Sequence, residues 1–352
     1  MEQSAVVPVG EVPAPPRGSD YADLLRLVKA AGLLDRRPGY YLATLLSVGG
    51  LLVGGWAAFA VLGDSWWQMA VAVFLAFVFA QVGFVGHDAG HRQIFRSTRA
   101  NYVLGLLLGN LAIGLSYGWW VTKHNRHHAH PNQEGKDPDI EVSALAFTTG
   151  SARTTRGLVR FIVSHQRYFF FPLLLLEAVS LHVSSVRALA GRGLRYRSWE
   201  ALLLGLHFAG YVAAVLLVLP PAKAAAFILI QQGLFGLYLG CAFAPNHKGM
   251  PILPEGEKID FLRRQVLTSR NVRGGRMVEF LLGGLNFQIE HHLFPSMPRP
   301  NLRRSVEPVR TFCRQRGVAY SETTLLRSYA QALGYLHEVG QPLRATDAVP
   351  RS

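Results

Sequence analysis

Long uncharged segments alternate with polar ones along this chain. Five segments contain no Asp, Glu, Lys or Arg: 39–63, 65–86, 100–122, 201–222 and 224–246. Because about 20 apolar residues in a helix span the hydrocarbon core of a bilayer, runs of this length predict transmembrane helices. We predict four spans, at about 39–63, 65–86, 201–222 and 224–246, and therefore an integral membrane protein.

The turns between paired spans are short and poor in basic residues. Asp64 separates the first two spans, and Pro220, Pro221 and Lys223 lie around the second turn. The segment 87–199 is instead rich in Lys and Arg. Because basic loops stay on the cytoplasmic side, the sequence predicts two helical hairpins, with this segment and both termini in the cytoplasm.

Two further apolar stretches do not fit as simple crossings. A single crossing at 100–122 would place His91 and His124 on opposite sides of the membrane, so we interpret this stretch as a re-entrant or interface-lying helix. Residues 168–186 include a proline, a glutamate and a histidine. They predict an amphipathic helix at the membrane interface.

The chain divides into three predicted parts. Residues 1–38 are polar and proline-bearing, and they predict a tail followed by an amphipathic helix near 21–31, with no cleavable signal peptide. Residues 39–310 form the membrane domain, and 311–352 form a C-terminal cytosolic helical tail. The predicted fold class is all-α integral membrane, with four transmembrane helices in two hairpins and a cytosolic helical cap that holds a di-metal site.

Composition and charge narrow the function. Half of the residues are hydrophobic, 16% are charged, and the net charge is +14. Much of this charge lies beside the apolar segments, so it indicates membrane orientation and bilayer contact, and no nucleic-acid partner is predicted. Only Cys241 and Cys313 are present, too few for a disulfide framework or an iron–sulfur cluster. A basic stretch suited to anionic lipid or a phosphorylated head group comprises Arg299, Arg303, Arg304, Arg310, Arg314 and Arg316.

Eight of the 13 histidines fall into four clusters at the ends of apolar segments or in the loops beyond them. The clusters are His87 with His91, His124 with His127 and His128, His247 alone, and His291 with His292. Side chains three or four residues apart share one face of a helix, so each cluster can offer imidazoles to one side. Eight imidazoles without thiolates predict two metal ions with nitrogen ligands. Two irons suit O2 activation and attack on C–H bonds, whereas a zinc pair suits hydrolysis but has no obvious general base beside it.

Polar side chains near the clusters are candidates to support the ligands. The carboxylates are Asp88, Asp137, Asp139 and Glu290. Each can accept the free N–H of a ligating ring and fix its tautomer, or can be a solvated carboxylate or helix cap. Asn132 and Asn286 can hold a metal-bound water or stabilise a loop, and for Asn132 the loop interpretation is preferred.

The remaining histidines lie apart from the clusters. His165, His182, His207 and His337 are expected to be hydrogen-bonded or exposed rings without a metal role. His130 follows the second cluster by two residues, so support of a ligand and an ordinary exposed ring are both open.

The amino-acid sequences around the clusters resemble conserved motifs of a known family. HDAGH at 87–91, HNRHHAHPN at 124–132 and NFQIEHHLFP at 286–295 resemble, in order, the three histidine boxes of the membrane fatty-acid desaturases. NHKG at 246–249 resembles the site of that family's additional histidine, and the resemblance covers about residues 65–310. It implies a cytosolic non-haem di-iron centre that uses O2 and two electrons to insert a double bond into a fatty acyl chain.

The resemblance also implies a ligand set. The ligands would be His87, His91, His124, His127, His128, His247, His291 and His292. Gln288 opens the third box where many relatives have histidine. It would bind through its carbonyl oxygen, through water, or not at all.

The third box also resembles the front-end branch, which acts between an existing double bond and the carboxyl end. Many members of that branch carry a fused cytochrome b5 domain, for which the N-terminal tail is expected to be too short. Bacterial desaturases with the same box lack this fusion, so regiochemistry, chain length and acyl carrier stay open. We find no GxGxxG after a strand and no cluster cysteines, which predicts a separate ferredoxin or flavoprotein reductase as electron donor. The richness in Ala, Gly and Arg hints at a bacterial inner membrane.

Two alternative functions remain open at this point. A related di-iron enzyme would end in hydroxylation, acetylenic-bond formation or oxidation of a natural-product chain. A metal transporter would place ionisable side chains in the middle of several spans. Within the four predicted spans, His207 is the one titratable side chain of this kind: there is no other histidine and no Asp, Glu, Lys or Arg. Transport is therefore the more distant alternative.

Overall fold

The structure, a computed structural model, describes residues 19–347, so most of the predicted N-terminal tail and residues 348–352 lie outside it. Apart from loops and turns, the described chain consists of helices and one pair of short strands. The helices are α1 Asp20–Ala30, α2 Pro38–Leu62, α3 Gln68–Gly90, α4 Thr98–Leu106, a π-helix Leu107–Ala112, α5 Tyr117–Ala129, α6 Thr149–Thr154, α7 Gly157–Ser164, α8 Gln166–Leu174, α9 Glu177–Ala190, α10 Arg197–Val218, α11 Pro221–His247, α12 Phe261–Leu267, α13 Arg276–Leu281, α14 Gln288–Leu293, α15 Arg299–Gln315 and α16 Leu325–Asp347; the strands are β1 Asn271–Arg273 and β2 Glu322–Thr324.

The four predicted spans are confirmed as long apolar helices. By length and composition α2, α3, α10 and α11 are each able to cross a membrane. Their limits differ from the uncharged runs by up to four residues, because helices continue through charged or histidine-bearing turns that a hydropathy pattern excludes. The clearest case is α3, which runs on to Gly90 and so includes His87 in its last turn.

The core of the apolar helices is built around α3, which packs against α2 and α11. Aromatic pairs join these three helices. The ring centroids of Phe59 in α2 and Phe227 in α11 lie 5.0 Å apart, and those of Phe79 in α3 and Phe235 in α11 lie 5.6 Å apart. Edge-to-face pairs of this kind stabilise packing beyond their buried area. The result is a fixed relative position of the α3 and α11 C-terminal ends.

The stretch predicted to be re-entrant is bent. The axes of the α4 and π-helix segment and of α5 differ by 114°. Gly114 turns the chain with a φ of 71°, and Ser116 begins α5 by accepting from the amide of Trp119. The Asn110 side chain accepts from the amide of Tyr117 at 3.0 Å. The bend returns the chain so that the His91 and His124 rings lie 4.9 Å apart, which a straight crossing would prevent.

The second ambiguous stretch is also bent. The axes of α8 and α9 differ by 67°, and α9 packs along α11. The two helices approach at Gly236 of α11, where an added Cβ would lie 2.6 Å from the Ala178 amide nitrogen and 2.8 Å from the Leu174 carbonyl oxygen. A side chain at Gly236 would collide with backbone, so the glycine is needed for this approach.

α1, α12, α14 and α15 pack together as a second layer around an apolar core of their own. Leu24 and Val28 of α1 are fully buried with Leu262 of α12 and Val309 of α15, so this side of α1 packs against protein. The all-α prediction misses one element: β1 and β2 pair in parallel, with Val272 opposite Thr323. This three-residue pair ties the segment before α13 to the segment before α16.

Candidate metal centre

All four histidine clusters meet at the ends of helices. His87 lies in the last turn of α3 and His91 caps it, His247 ends α11, and the other five lie on α5 and α14. Seven of the eight rings are buried and His124 is half-buried. The packing of α3 on α11 and the bend before α5 therefore bring residues up to 205 positions apart (87 to 292) into one site.

Four rings form what we call the first histidine group: His87, His91, His124 and His291, whose ligand atoms all lie within 4.8 Å of one another. His124 Nε2 lies 3.2 Å from His87 Nε2 and 2.9 Å from His91 Nε2. His291 Nε2 is buried without a hydrogen-bond partner. One nitrogen carries one proton or one lone pair, so His124 Nε2 cannot satisfy both neighbours by hydrogen bonding.

Three rings form the second histidine group: His127, His247 and His292. His247 Nε2 lies 3.4 Å from His127 Nε2 and 3.0 Å from His292 Nε2. The two groups adjoin, since the ring centroids of His124 and His127 lie 6.0 Å apart and those of His291 and His292 lie 5.8 Å apart.

The tautomers of the second histidine group follow from the partners of Nδ1. Each Nδ1 lies 3.0 Å from an oxygen that only accepts: His127 from the Asp137 carboxylate, His247 from the Thr268 carbonyl and His292 from the Gln265 side-chain oxygen. Each Nδ1 therefore carries a proton, and a neutral ring in this tautomer points its Nε2 lone pair into the group.

These facing lone pairs fit a cation. In this tautomer the lone pair of His247 Nε2 faces those of His127 and His292 at 3.4 Å and 3.0 Å, and lone pairs this close repel one another. Burial lowers the pKa of His291 and of His292, and the neighbouring rings lower it further, so both rings are held neutral. Neutral, buried, convergent imidazoles are the donor set that iron or zinc accepts.

His128 and Gln288 complete the surroundings of the two groups. His128 Nε2 lies 3.1 Å from His124 Nε2, and its ring stacks on that of His292. The Gln288 amide donates to His247 Nε2 at 2.9 Å, and its Oε1 is buried without a partner. Rotation of this amide by 180° would exchange the two atoms and present the carbonyl oxygen to the second histidine group.

Asp88 lies behind the first histidine group. Its carboxylate is 3.6 Å from His87 Nδ1 and forms a 2.7 Å ion pair with Arg299. Arg299 also donates to the carbonyl of Phe84 in α3. The Asp88 side chain thus lies beside a candidate ligand, and buried Arg299 balances its charge.

Asp137 lies behind the second histidine group. It is fully buried, and besides His127 it accepts from the backbone amides of Asn132 at 2.7 Å and Asp139 at 2.9 Å. Asp139 lies 3.5 Å from His127 Nδ1 and pairs with Lys123. His127, Asp137 and Asp139 also lie close enough to hold a cation themselves, but the hydrogen bond from His127 Nδ1 makes Asp137 its orienting partner.

Glu290 departs from the prediction that it accepts from a ligating ring. Its two carboxylate oxygens accept from Asn271 Nδ2 and from the Tyr320 hydroxyl, each at 2.7 Å. Burial raises the pKa of Glu290 to about 6. Because α14 is helical, Glu290 points away from the face that carries His291 and ties α14 to the strand pair. Asn286 donates to the carbonyl of Val272 at 3.4 Å.

Asn132 stabilises the loop after α5. Its φ is 52°, in the left-handed region that asparagine tolerates, and its side chain donates to the carbonyls of His247 and Pro251 at 3.2 Å. This is the loop role expected for it. It also ties the second box to the end of α11.

The other histidines lie outside both groups. His130 Nδ1 bonds the Gln133 side chain at 3.0 Å, and His165 Nδ1 bonds Ser164 Oγ at 2.8 Å. His182 bonds the Gly114 carbonyl and Gln232, and His207 bonds the Leu111 carbonyl. His337 Nε2 lies 3.3 Å from Arg344.

Sequence reasoning missed three residues that hold the site in place. Gln265 bonds both His292 Nδ1 and, through its amide, the carbonyl of His128 at 3.0 Å. The Thr268 carbonyl fixes His247, and Arg299 was named only as part of a basic stretch. No motif marks Gln265 or Thr268, since they come from α12 and its end, outside every histidine box.

Comparison with known proteins agrees with this geometry. The chain is 29% identical over 338 residues to the acyl-lipid (9-3)-desaturase of Physcomitrium patens, covering 94% of this chain and 64% of that protein. It is 31% identical over 299 residues to the Delta(6)-fatty-acid desaturase fat-3 of Caenorhabditis elegans, covering 80% and 67%. It is 29% identical over 347 residues to a Delta 8-(E)-sphingolipid desaturase of Kluyveromyces lactis, covering 92% and 59%.

The chain therefore spans about three fifths to two thirds of the length of these relatives. The sequence profile of the family described as fatty acid desaturase matches residues 64–324, which include all eight candidate ligands and both histidine groups. On this match, the chain belongs to the fatty acid desaturase family.

Proposed function

We propose that this protein is an O2-dependent fatty acyl desaturase that inserts a cis double bond by means of a His-ligated di-iron centre. The observation that carries the proposal is the convergence of two adjoining groups of ring nitrogens, with the Nδ1 partners fixed in the second. The substrate would be an acyl-CoA, an acyl-carrier protein or an acyl lipid. The names of the relatives include both fatty-acid and sphingolipid desaturases, so the acyl carrier stays open.

The eight histidines divide between two ions in this proposal. His87, His91, His124 and His291 would hold one iron, and His127, His247 and His292 the other, as the two histidine groups support. His128 lies between the groups and would complete one of them.

The bound irons would supply O2 activation and oxidation of C–H bonds, which amino-acid side chains cannot provide. Asp137, Gln265 and the Thr268 carbonyl would hold the rings with Nε2 inward. Burial of seven rings would keep bulk water out. In the overall reaction, two hydrogens from adjacent carbons, two electrons and two protons reduce one O2 to two waters.

Gln288 is proposed as a weak ligand or a ligand-positioning side chain of the second histidine group. Its buried amide lies beside His247, and either amide atom is able to face the ion. Gln288→Ala should reduce product yield without abolishing it, and Gln288→His should retain activity because imidazole is a ligand of the same type. Complete loss in both variants, with iron retained, would contradict this role.

We also propose the membrane arrangement. α2 with α3 and α10 with α11 would form two hairpins, with the histidine groups and the layer of α1 and α12–α16 on the cytoplasmic side, because the basic segment 87–199 follows the positive-inside rule. The proposal of a bacterial inner membrane rests on composition alone, since the relatives named above are eukaryotic. Electrons would come from a separate ferredoxin or flavoprotein reductase.

The test is fatty-acid analysis, with location of double bonds, of cells that express the chain together with a ferredoxin and its reductase. His128→Ala should abolish new unsaturated chains. His130→Ala is the matched control, because its ring lies two residues away and bonds only Gln133 among the described contacts. Equal yields from the two variants would rule out the ligand assignment.

The same experiment separates the alternatives. Hydroxylated or acetylenic chains that depend on His128 would favour a related di-iron lipid hydroxylase, acetylenase or natural-product oxidase. Metal flux in liposomes without O2-dependent product would favour a metal transporter. The histidine groups lie at helix ends, where a membrane-surface enzyme needs them.

A further inference from the structure

A shallow cavity of about 480 Å³, largely open to solvent, lies where α2 begins, and the proposed reaction does not use it. Three arginines line it: Arg36 and Arg37 just before α2, and Arg304 on α15. Tyr40 and Asn301 form part of the remaining wall. The lining contains no carboxylate, so the cavity carries three uncompensated positive charges.

A buried asparagine in the wall of the cavity forms hydrogen bonds to the chain around it. Asn301 is 1% exposed, and its Nδ2 donates to the carbonyls of Leu33 at 2.8 Å and Asp35 at 3.2 Å. Its Oδ1 accepts from Arg37 Nε at 2.9 Å. Arg36 donates to the backbone carbonyl of Arg92. These bonds fix two of the three guanidinium groups before any ligand arrives.

The charge of these arginines is not neutralised within residues 19–347. On the same helix α15, Arg303 pairs with Glu279 and Arg310 with Glu307 and Glu322. Arg316, directly after α15, pairs with Asp20 and Asp23. No ion pair to a carboxylate is found for the three cavity arginines in that part of the chain. Their unused N–H groups, arranged as planar forks, match the oxygens of a phosphate.

The position of the cavity selects a lipid over a soluble ligand. It lies at the N-terminal end of an apolar helix that is long enough to cross a membrane. In the next turns of α2, Leu42 and Leu46 are 61% and 68% exposed, so an apolar surface continues directly from the charged cavity. A phosphate above acyl chains is the chemistry of a phospholipid, and Lys and Arg at this depth attract anionic head groups.

We propose that this cavity binds the phosphate of an anionic phospholipid, whose acyl chains lie along the exposed apolar side of α2. The site is distinct from the histidine groups, and its occupancy does not depend on the proposed desaturase activity. Arg304 is the exposed member of the set, and its side chain has no hydrogen bond or ion pair among the described contacts, so its removal should alter binding without disturbing the fold.

The experiment measures lipid binding to the full-length, metal-loaded protein by native mass spectrometry in detergent. Phosphatidylglycerol and phosphatidylcholine with identical acyl chains are the two probes. We expect phosphatidylglycerol to bind more tightly, and Arg304→Gln and Arg304→Glu to weaken it about fivefold per unit of charge removed. Arg314→Glu is the matched control, since Arg314 is an exposed arginine on α15 outside the cavity. Unchanged melting temperatures would show that the variants fold.

Three results would overturn the proposal. Equal phosphatidylglycerol affinity in the wild type and in Arg304→Glu would show that the lipid does not bind in this cavity. Equal weakening in Arg304→Glu and Arg314→Glu would show a response to net charge alone. Displacement of bound lipid by excess inorganic phosphate would assign the cavity to a free anion, whereas retention of the lipid supports it as a phospholipid site.

Discussion

Asp137→Asn tests whether the two histidine groups hold two separate ions. The fully buried carboxylate accepts from His127 Nδ1 and from the backbone amides of Asn132 and Asp139. Both carboxylate oxygens lie 3.0 Å from His127 Nδ1. Asparagine keeps the size but replaces one oxygen with an NH2 group, so one backbone amide loses its partner and His127 Nδ1 keeps a single, uncharged acceptor. A hydrogen bond to a charged group contributes about 1.5–3 kcal/mol. Mutation of a residue that orients a metal-ligating histidine weakens metal binding about 10- to 100-fold.

The loss should be confined to one ion. The orienting bond belongs to His127 of the second histidine group, while the first group keeps all its partners. In a chelator titration of the purified protein, one metal per chain should leave Asp137→Asn at about 10- to 100-fold lower chelator concentration than in the wild type. Asp35→Asn, at an exposed position, should behave as the wild type. Simultaneous release of both ions, or release as in the wild type, would refute the division into two groups.

Two further predictions concern stability. Arg299→Gln leaves the buried Asp88 carboxylate unpaired and should lower the free energy of unfolding by about 3–5 kcal/mol. Arg303→Gln removes an exposed ion pair and should lower it by less than about 1 kcal/mol. The melting temperatures of the two variants in detergent compare them, and equal shifts would contradict the role of the buried pair. Gly236→Ala should destabilise by about 1–3 kcal/mol through collision with the α9 backbone, while Gly205→Ala, with open space around it, should not; unchanged melting of the first would show that α9 does not approach as described.

The candidate ligands were predictable because their signal is local. His124, His127 and His128 share one helix face by spacing alone, and His87 and His91 do the same at the end of an apolar run. Asp137 was named because it follows the second cluster closely. Glu290 was named for the same reason, but its carboxylate bonds Asn271 and Tyr320 and no candidate ligand. Adjacency to His291 in sequence does not place two side chains on the same face of a helix.

The supporting residues were not predictable for a physical reason. Gln265 and Thr268 reach the second histidine group only after α12 has packed beside α14, and no spacing or composition marks that contact. The strand pair β1–β2 is three residues long on each side, too short for a periodic pattern. The spans were predicted by their apolar composition, but the extension of α3 through His87 was not, since a hydropathy pattern stops at polar side chains.

The most direct test of the central claim is the iron content of the purified wild-type protein, measured by elemental analysis beside His128→Ala and His130→Ala. The two histidine groups predict two irons per chain in the wild type and in His130→Ala, and fewer in His128→Ala. One iron per chain, zinc in place of iron, or the same content in all three proteins would contradict a di-iron centre held by these histidines.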